Sequence, residues 1–185
     1  GERGKFGSTR EGKFQDSAFW PDGVVRVAGR EYNGLVKTPC YNHGKATNVM
    51  SCLSCHVSHQ QTGDGRPVSE WADDQLAVGM RSNQACTQCH TELTEPATLQ
   101  KHTRHETASG GSLCYNCHMS HTSYGLLKAV RSHTVDSPDT ATALASGRIN
   151  ACNQCHIDKP LTWTAEHLQD WYGIEPPTLD EEQHQ

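Results

Sequence analysis

"CYNCHMSH", residues 114–121, holds two cysteines with two residues between them, a histidine directly after, and a second histidine three residues on. The same arrangement stands earlier as "CLSCHVSH", residues 52–59. Two shorter versions, "CTQCH" at 86–90 and "CNQCH" at 152–156, complete a set of four. The pairs are Cys52/Cys55, Cys86/Cys89, Cys114/Cys117 and Cys152/Cys155, followed by His56, His90, His118 and His156. They use eight of the chain's nine cysteines.

C-x-x-C-H is the attachment signature of c-type haem. Two thiols add to the two vinyl groups of one porphyrin, and a tight turn brings them to the right separation. The adjacent histidine then reaches the iron as proximal ligand. One C-x-x-C alone also reads as a zinc half-site or a redox pair. Zinc does not require a histidine after every pair, and disulfides do not repeat one local spacing four times. The implied cofactor is four haem c groups with their iron, bound at the eight cysteines.

The composition agrees. Over 185 residues only 34% are hydrophobic and 6% aromatic, and the mean hydropathy is -0.71. Such a chain has little with which to build an aliphatic core. Four porphyrins supply the missing apolar surface. The expected fold is therefore mainly irregular with short α-helices and a small β content near the N-terminus. It is a single tetrahaem domain, 1–185, whose core is the stacked haems. Within it lie a haem-free N-terminal segment (1–50), a haem-binding region (51–173) and a polar tail (174–185).

The formal charge is -5 and no basic patch stands out, so nucleic acid is not an expected partner. No apolar run approaches the roughly 20 residues of a membrane span. The chain starts at Gly1, which reads as a processed mature protein or a fragment of a longer one. Because c-type haem is attached outside the cytoplasmic membrane, the expected location is periplasmic, extracellular or on the cell surface.

Each iron has a sixth position. Methionine there raises the potential and a second histidine lowers it. Met119 sits beside its own proximal ligand and cannot reach the far face of that haem. Eight histidines lie outside the motifs: His43, His59, His102, His105, His121, His133, His167 and His184. Bis-histidine ligation is the natural reading. His118 and His121 share a face of a helical turn, as do His56 and His59. His121 and His59 therefore point to the iron of a neighbouring haem, which requires closely packed haems.

Elsewhere the signals are local. "GVVRVAGREY" (23–32) alternates as a short strand or hairpin does. The odd cysteine, Cys40, is a reactive thiol, an unusual ligand or a small buried side chain. Ser69 is positioned to cap "SEWADDQLA", and Thr94 to cap "TEPATLQKHTRHE", with Pro96 in its first turn. "YGLLKAVRSH" puts Leu126, Val130 and His133 on one stripe of a helix. "SPDTATALASG" reads as a helix from Ser137 and Pro138 to Gly147. "PLTWTAEHLQDWYG" aligns Trp163, His167 and Trp171 and closes at Gly173, with His167 on a haem iron. His184 falls in the solvated tail. The motif starts are unevenly spaced, which reads as a string of haem sites and not a strict sequence repeat.

The run from "CYNCHMSHTSYGLLKAVRSHTVDSP" to "ACNQCH" resembles the last two haem sites of the pentahaem cytochrome c nitrite reductases. The resemblance covers residues 100–170. It implies that His133 is a distal ligand to another haem and that His105, with His102 second, ligates the final haem. It also implies that His167 serves the haem of Cys114 and Cys117. His59 and His121 are left for the other sites, and His43 remains a further candidate. The nitrite reductases carry a C-x-x-C-K catalytic site that is missing here, so that activity does not carry over. More loosely, the chain is similar in type to small secreted tetrahaem cytochromes that polymerise into extracellular filaments.

The expected function is electron transfer with redox proteins as partners and self-association into a chain or oligomer. A filament subunit is one form of it. The chain then has no catalytic residues. The alternative is a haem enzyme acting on a small nitrogen or sulfur compound at one open haem.

Overall fold

A computed structural model of the chain describes residues 17–44 and 49–178. Short helices alternate with irregular loops. In order they are α1 (Glu31–Leu35), α2 (Pro39–Asn42), α3 (Val68–Asp74), α4 (Gln84–Thr87), α5 (Pro96–Thr103) and α6 (Cys114–His118). A two-stranded antiparallel sheet follows, β1 (Ser123–Gly125) with β2 (Lys128–Val130), and then α7 (Thr140–Ser146) and α8 (Leu161–Tyr172). No helix among the described residues is long and apolar enough to cross a membrane. His184 lies outside the described residues.

The helix ends follow local chemistry. Pro96 opens α5 at a position where its missing N–H costs nothing. Asp139, not Ser137, caps α7 by accepting from Thr142 N at 2.5 Å. Glu95 precedes Pro96 in extended backbone and takes the cap position expected of Thr94. Ser69 lies inside α3, which begins directly after Pro67. Gly147 and Gly173 end α7 and α8 in the left-handed region, φ 70° and 68°, as read from the sequence.

One expected helix is a hairpin. "YGLLKAVRSH" runs through β1, a two-residue turn and β2, with Leu126 and Leu127 90% and 98% exposed at the tip. Tertiary contact overrides the helical stripe. The backbone of Tyr124 is held on both sides, its N–H donating to Arg26 O (2.7 Å) and its carbonyl accepting from Ala28 N (3.0 Å). A helix would forfeit both bonds. The small β content thus sits at 123–130. The stretch 23–32 contributes isolated bridges, Val25 to Phe19 and Val27 to Tyr124.

That pairing docks the N-terminal segment onto the second half of the chain. Trp20 Nε1 donates to Thr122 O (2.8 Å) and Ser123 Oγ to Val25 O (2.8 Å). Arg148 ties the two parts ionically, reaching Asp22 at 2.8 Å and Asp136 at 2.9 Å. The buried apolar set is small: Ala18, Val24, Val25, Leu35, Leu99, Cys114, Ala143, Ala165 and Leu168. Threonines and serines are as prominent inside as aliphatics. Meanwhile Leu53, inside one C-x-x-C, and Ile157, beside another, are 74% and 84% exposed. Protein alone leaves apolar surface uncovered at the motifs.

Gly34 on α1 lies against the backbone of His133 and Thr134, and a Cβ there would come within 2.9 Å of Thr134 N. Gly34→Ala should therefore push α1 off residues 133–134 and cost about 1–3 kcal/mol by overpacking. Thermal unfolding of the holoprotein should show a Tm lowered by several degrees.

Candidate haem-binding sites

The motif cysteines sit on short helical turns. Cys114–His118 is α6 itself, while Cys52–Ser54 and Cys152–Gln154 are single 3₁₀ turns and Cys86 lies in α4. Each turn is fixed by backbone bonds closing on its first cysteine: His56 N, His90 N and His156 N donate to the carbonyls of Cys52, Cys86 and Cys152. Arg131 secures α6 further. Its guanidinium donates to Tyr115 O (3.0 Å), Met119 O (3.2 Å) and Asn116 Oδ1 (2.8 Å), and lies 4.3 Å over the Tyr115 ring. Asn83, just before α4, donates to Ser112 O and accepts from Cys114 N, both at 2.9 Å, and so joins the second motif to the third.

Three of the four motif histidines face a second imidazole. His56 and His133 have ring centroids 6.1 Å apart and planes 20° apart. His118 and His102 stand at 6.1 Å and 15°. His156 and His105 stand at 6.1 Å and 39°. Packed aromatic pairs span centroid distances of about 4.5–7 Å; what distinguishes these three is that each sets a motif histidine against a second histidine. A metal–imidazole nitrogen bond is about 2 Å, and a ring centre sits roughly 1 Å behind its nitrogen. Two imidazoles on opposite sides of one iron therefore have centroids about 6 Å apart.

The Nδ1 atoms are engaged in a way that leaves Nε2 for a metal. His56 Nδ1 meets Asp74 O at 2.8 Å, His118 Nδ1 meets Asp136 O at 2.7 Å, and His105 Nδ1 meets Thr103 O at 2.6 Å. A carbonyl acceptor fixes the proton on Nδ1, orients the ring and raises the basicity of the other nitrogen. The buried Nδ1 of His133 makes no hydrogen bond. Burial holds His102 and His133 below the ordinary imidazole value, favouring the neutral form that ligates a metal.

The remaining histidines are placed differently. His167 shows its Nδ1 to Trp163 O (2.8 Å), with its ring 4.2 Å from Trp163 and 4.8 Å from Trp171. The ring opposite His118 is that of His102, held by the Tyr172 hydroxyl donating to its carbonyl. The aromatic face of α8 thus spans two sites, with Trp163 4.9 Å from His156 and Tyr172 6.2 Å from His102. His121 is pinned through its backbone, its N–H donating to Gln154 Oε1 (3.2 Å) and its carbonyl accepting from Gln154 Nε2 (3.4 Å). His59 and His43 are exposed. His90 is exposed and its Nδ1 lies 3.7 Å from Glu92. Among the described residues His43, His59, His90 and His121 have no facing ring.

The sites form a sequence in space. Burial pushes the Cys55 thiol up and nearby Cys89 adds to it. The Cys86 thiol is pushed up and the Cys114 thiol down, each chiefly by the other. Burial pushes Cys117 up to about 11, with Cys152 and Cys155 adding to it. Side-chain hydrogen bonds carry the same order: Gln88 ties the second motif to the first, Asn83 the second to the third and Gln154 the fourth to the third.

A register is present that the uneven motif starts conceal. Cys52 and Cys114 are 62 positions apart, as are Cys55 and Cys117, His56 and His118, and His59 and His121. The structure extends the match, for each proximal histidine binds the carbonyl of the aspartate 18 positions later, Asp74 or Asp136. The following motifs, "ACTQCH" and "ACNQCH", are displaced by 66. Their glutamines both bridge to the preceding motif, Gln88 to Ser54 O at 3.1 Å and Gln154 to His121. The chain contains two copies of a two-site unit, the second copy four residues longer.

Comparison with known proteins now has a geometry to meet. Residues 70–157 match the family of cytochrome c7 and related cytochrome c. The match spans just under half of the chain and runs from α3 past the fourth motif. It supports a multihaem c-type cytochrome, with covalently bound haem c and its iron as cofactor, engaged in haem-based electron transfer. The fold, irregular with short helices and a two-stranded sheet, fits a small multihaem cytochrome. No curated protein and no solved structure matches the chain. The residues fit haem: paired imidazoles at the spacing of one iron, carbonyls on the Nδ1 atoms, and bare apolar side chains at the motifs. Zinc needs four converging ligands, and among the described residues no three His, Cys, Asp or Glu side chains converge.

Arg131→Met removes the donors to Tyr115 O and Met119 O. Chemical denaturation of the holoprotein should show a loss of about 1–3 kcal/mol, the cost of partly buried carbonyls left unpaired.

Proposed function

We propose that the chain is an electron carrier holding four haem c groups, at Cys52/Cys55, Cys86/Cys89, Cys114/Cys117 and Cys152/Cys155. When bound, each iron takes up and passes on one electron. The protein's part is to fix the axial ligands, hold the sites close and exclude competing chemistry. The observation that carries this reading is the set of three imidazole pairs at 6.1 Å. We assign His133 as the partner of His56, His102 as the partner of His118, and His105 as the partner of His156. His167 then acts as packing between Trp163 and Trp171 and not as a ligand.

Two imidazoles leave an iron no open position, which favours a carrier over a catalyst at these three sites. They also set low potentials compared with His/Met ligation. The hydrogen bonds of Gln88, Asn83 and Gln154 support a linear order, with the first motif next to the second, the second to the third and the third to the fourth. Electrons then enter at one terminal haem and leave at the other, exchanged with redox proteins. Covalent haem attachment places this work outside the cytoplasmic membrane, in the periplasm or beyond it.

Low-temperature EPR of the ferric holoprotein, with haem content measured on the same sample, tests the assignment. Four haems per chain are expected. His133→Ala, His102→Ala and His105→Ala should each convert one low-spin haem to high-spin and raise one potential. His167→Ala should leave the spin state alone. A haem count below four, or three silent ligand variants, refutes the reading.

A further inference from the structure

We infer that His43 is the distal ligand of the second haem, the one bound by Cys86, Cys89 and His90, and that it completes a fourth bis-histidine site. The inference rests on the axial pairs proposed above and on the internal register.

His43 lies nine positions before Cys52, and His105 lies nine positions before Cys114. The 62-residue displacement that relates the two copies thus relates these two histidines. Both follow the C-terminal end of a helix that opens on proline. His43 directly follows α2, which starts at Pro39, and its N–H donates to Pro39 O at 2.8 Å. His105 follows α5, which starts at Pro96, one residue past its left-handed cap Arg104. In the second copy His105 faces His156, the histidine of the trailing motif. The trailing motif of the first copy is "ACTQCH", and its histidine is His90. The same rule pairs His43 with His90.

Position supports the register. The carbonyl of Cys40, in α2, accepts from Met50 N at 3.3 Å and holds the segment beside the first motif. Gln88 of the second motif donates to Ser54 O of the first at 3.1 Å, so the motif beside this segment adjoins the one that carries His90. His43 and His90 are both exposed, and an imidazole at the end of a loop is free to turn.

The register also decides against the nearest competitor. His59 is three residues past His56 and had been the natural candidate for a neighbouring iron. Its counterpart, His121, faces no motif histidine; its backbone is clasped by Gln154 instead. The same displacement gives His59 no axial role. The register does not extend to the other two ligands, since His102 corresponds to Cys40 and His133 to Trp71, and Gly111, whose bare backbone lies under the His105 ring, corresponds to Val49. The His43 ring must therefore stand off that backbone, as its exposure allows.

The experiment is EPR and optical spectroscopy of the full holoprotein and its His43→Ala, His59→Ala and His105→Ala variants, with haem quantified in each. Wild type should be low-spin at all four haems. His43→Ala should turn one haem high-spin, raise one potential, and return to low-spin when imidazole is added. His59→Ala should match wild type. If His43→Ala fails to fold, His43→Met should leave one haem with a raised potential and the other three unchanged. A wild-type high-spin haem, or a His43→Ala protein that stays fully low-spin, overturns the inference while leaving the other pairs intact. If His105→Ala is also silent, the axial pairs themselves fail and this inference falls with them.

Discussion

Two imidazoles with ring centres about 6 Å apart stand at the separation that one iron bonded to both would set. No hydrogen bond joins them, and ordering them costs side-chain entropy. A metal bonded to both at once would offset that cost. Three such pairs occur, and the backbone around them is organised to keep them: carbonyls on Nδ1, helix ends against loops, an N-terminal segment wedged behind His133. The fold's limited apolar core makes sense in that light. The protein builds the frame of each site and leaves the interior to be supplied.

The pairs also explain why the chain is folded as it is. His56 and His133 are far apart in sequence. What brings them together is the strand-like contact of residues 26–28 with Tyr124 and the packing of Gly34 on residues 133–134. The described N-terminal residues thus position His133 opposite His56. At the other end, α8 presses Trp163 and Tyr172 toward two different sites and fixes their spacing from one rigid helix. Gln88, Asn83 and Gln154 stitch each motif to its neighbour, so the spacing between sites is set by side chains in or just before the motifs.

The C-x-x-C-H motifs, the fold class, α5, α7 and α8 were legible in the sequence, because each rests on a local rule: a fixed spacing, a proline start, a glycine stop. The hairpin at 123–130 was not legible. Its stripe of Leu126, Val130 and His133 is helical in period, and only the distant residues 26–28 tip it to a strand. The partner of His118 was also hidden. His102 and His105 are neighbours in sequence yet face different sites, a split made by the left-handed Arg104 between them. The two-copy register is faint in letters, since little beyond the motif residues recurs. It emerged from hydrogen bonds, where two aspartates in the same relative place do the same work with their carbonyls and not their side chains.

That register has a consequence for how such a chain can change. The extra four residues of the second copy fall between Asp136 and Asn150, the stretch that contains α7, while the leading motif and the histidine nine residues before it keep their spacing. Length variation is absorbed where no cofactor is held. A unit whose essential parts are locked together and whose slack is confined to one connector can be copied end to end without redesign. On that view a longer wire needs only more copies of the same link.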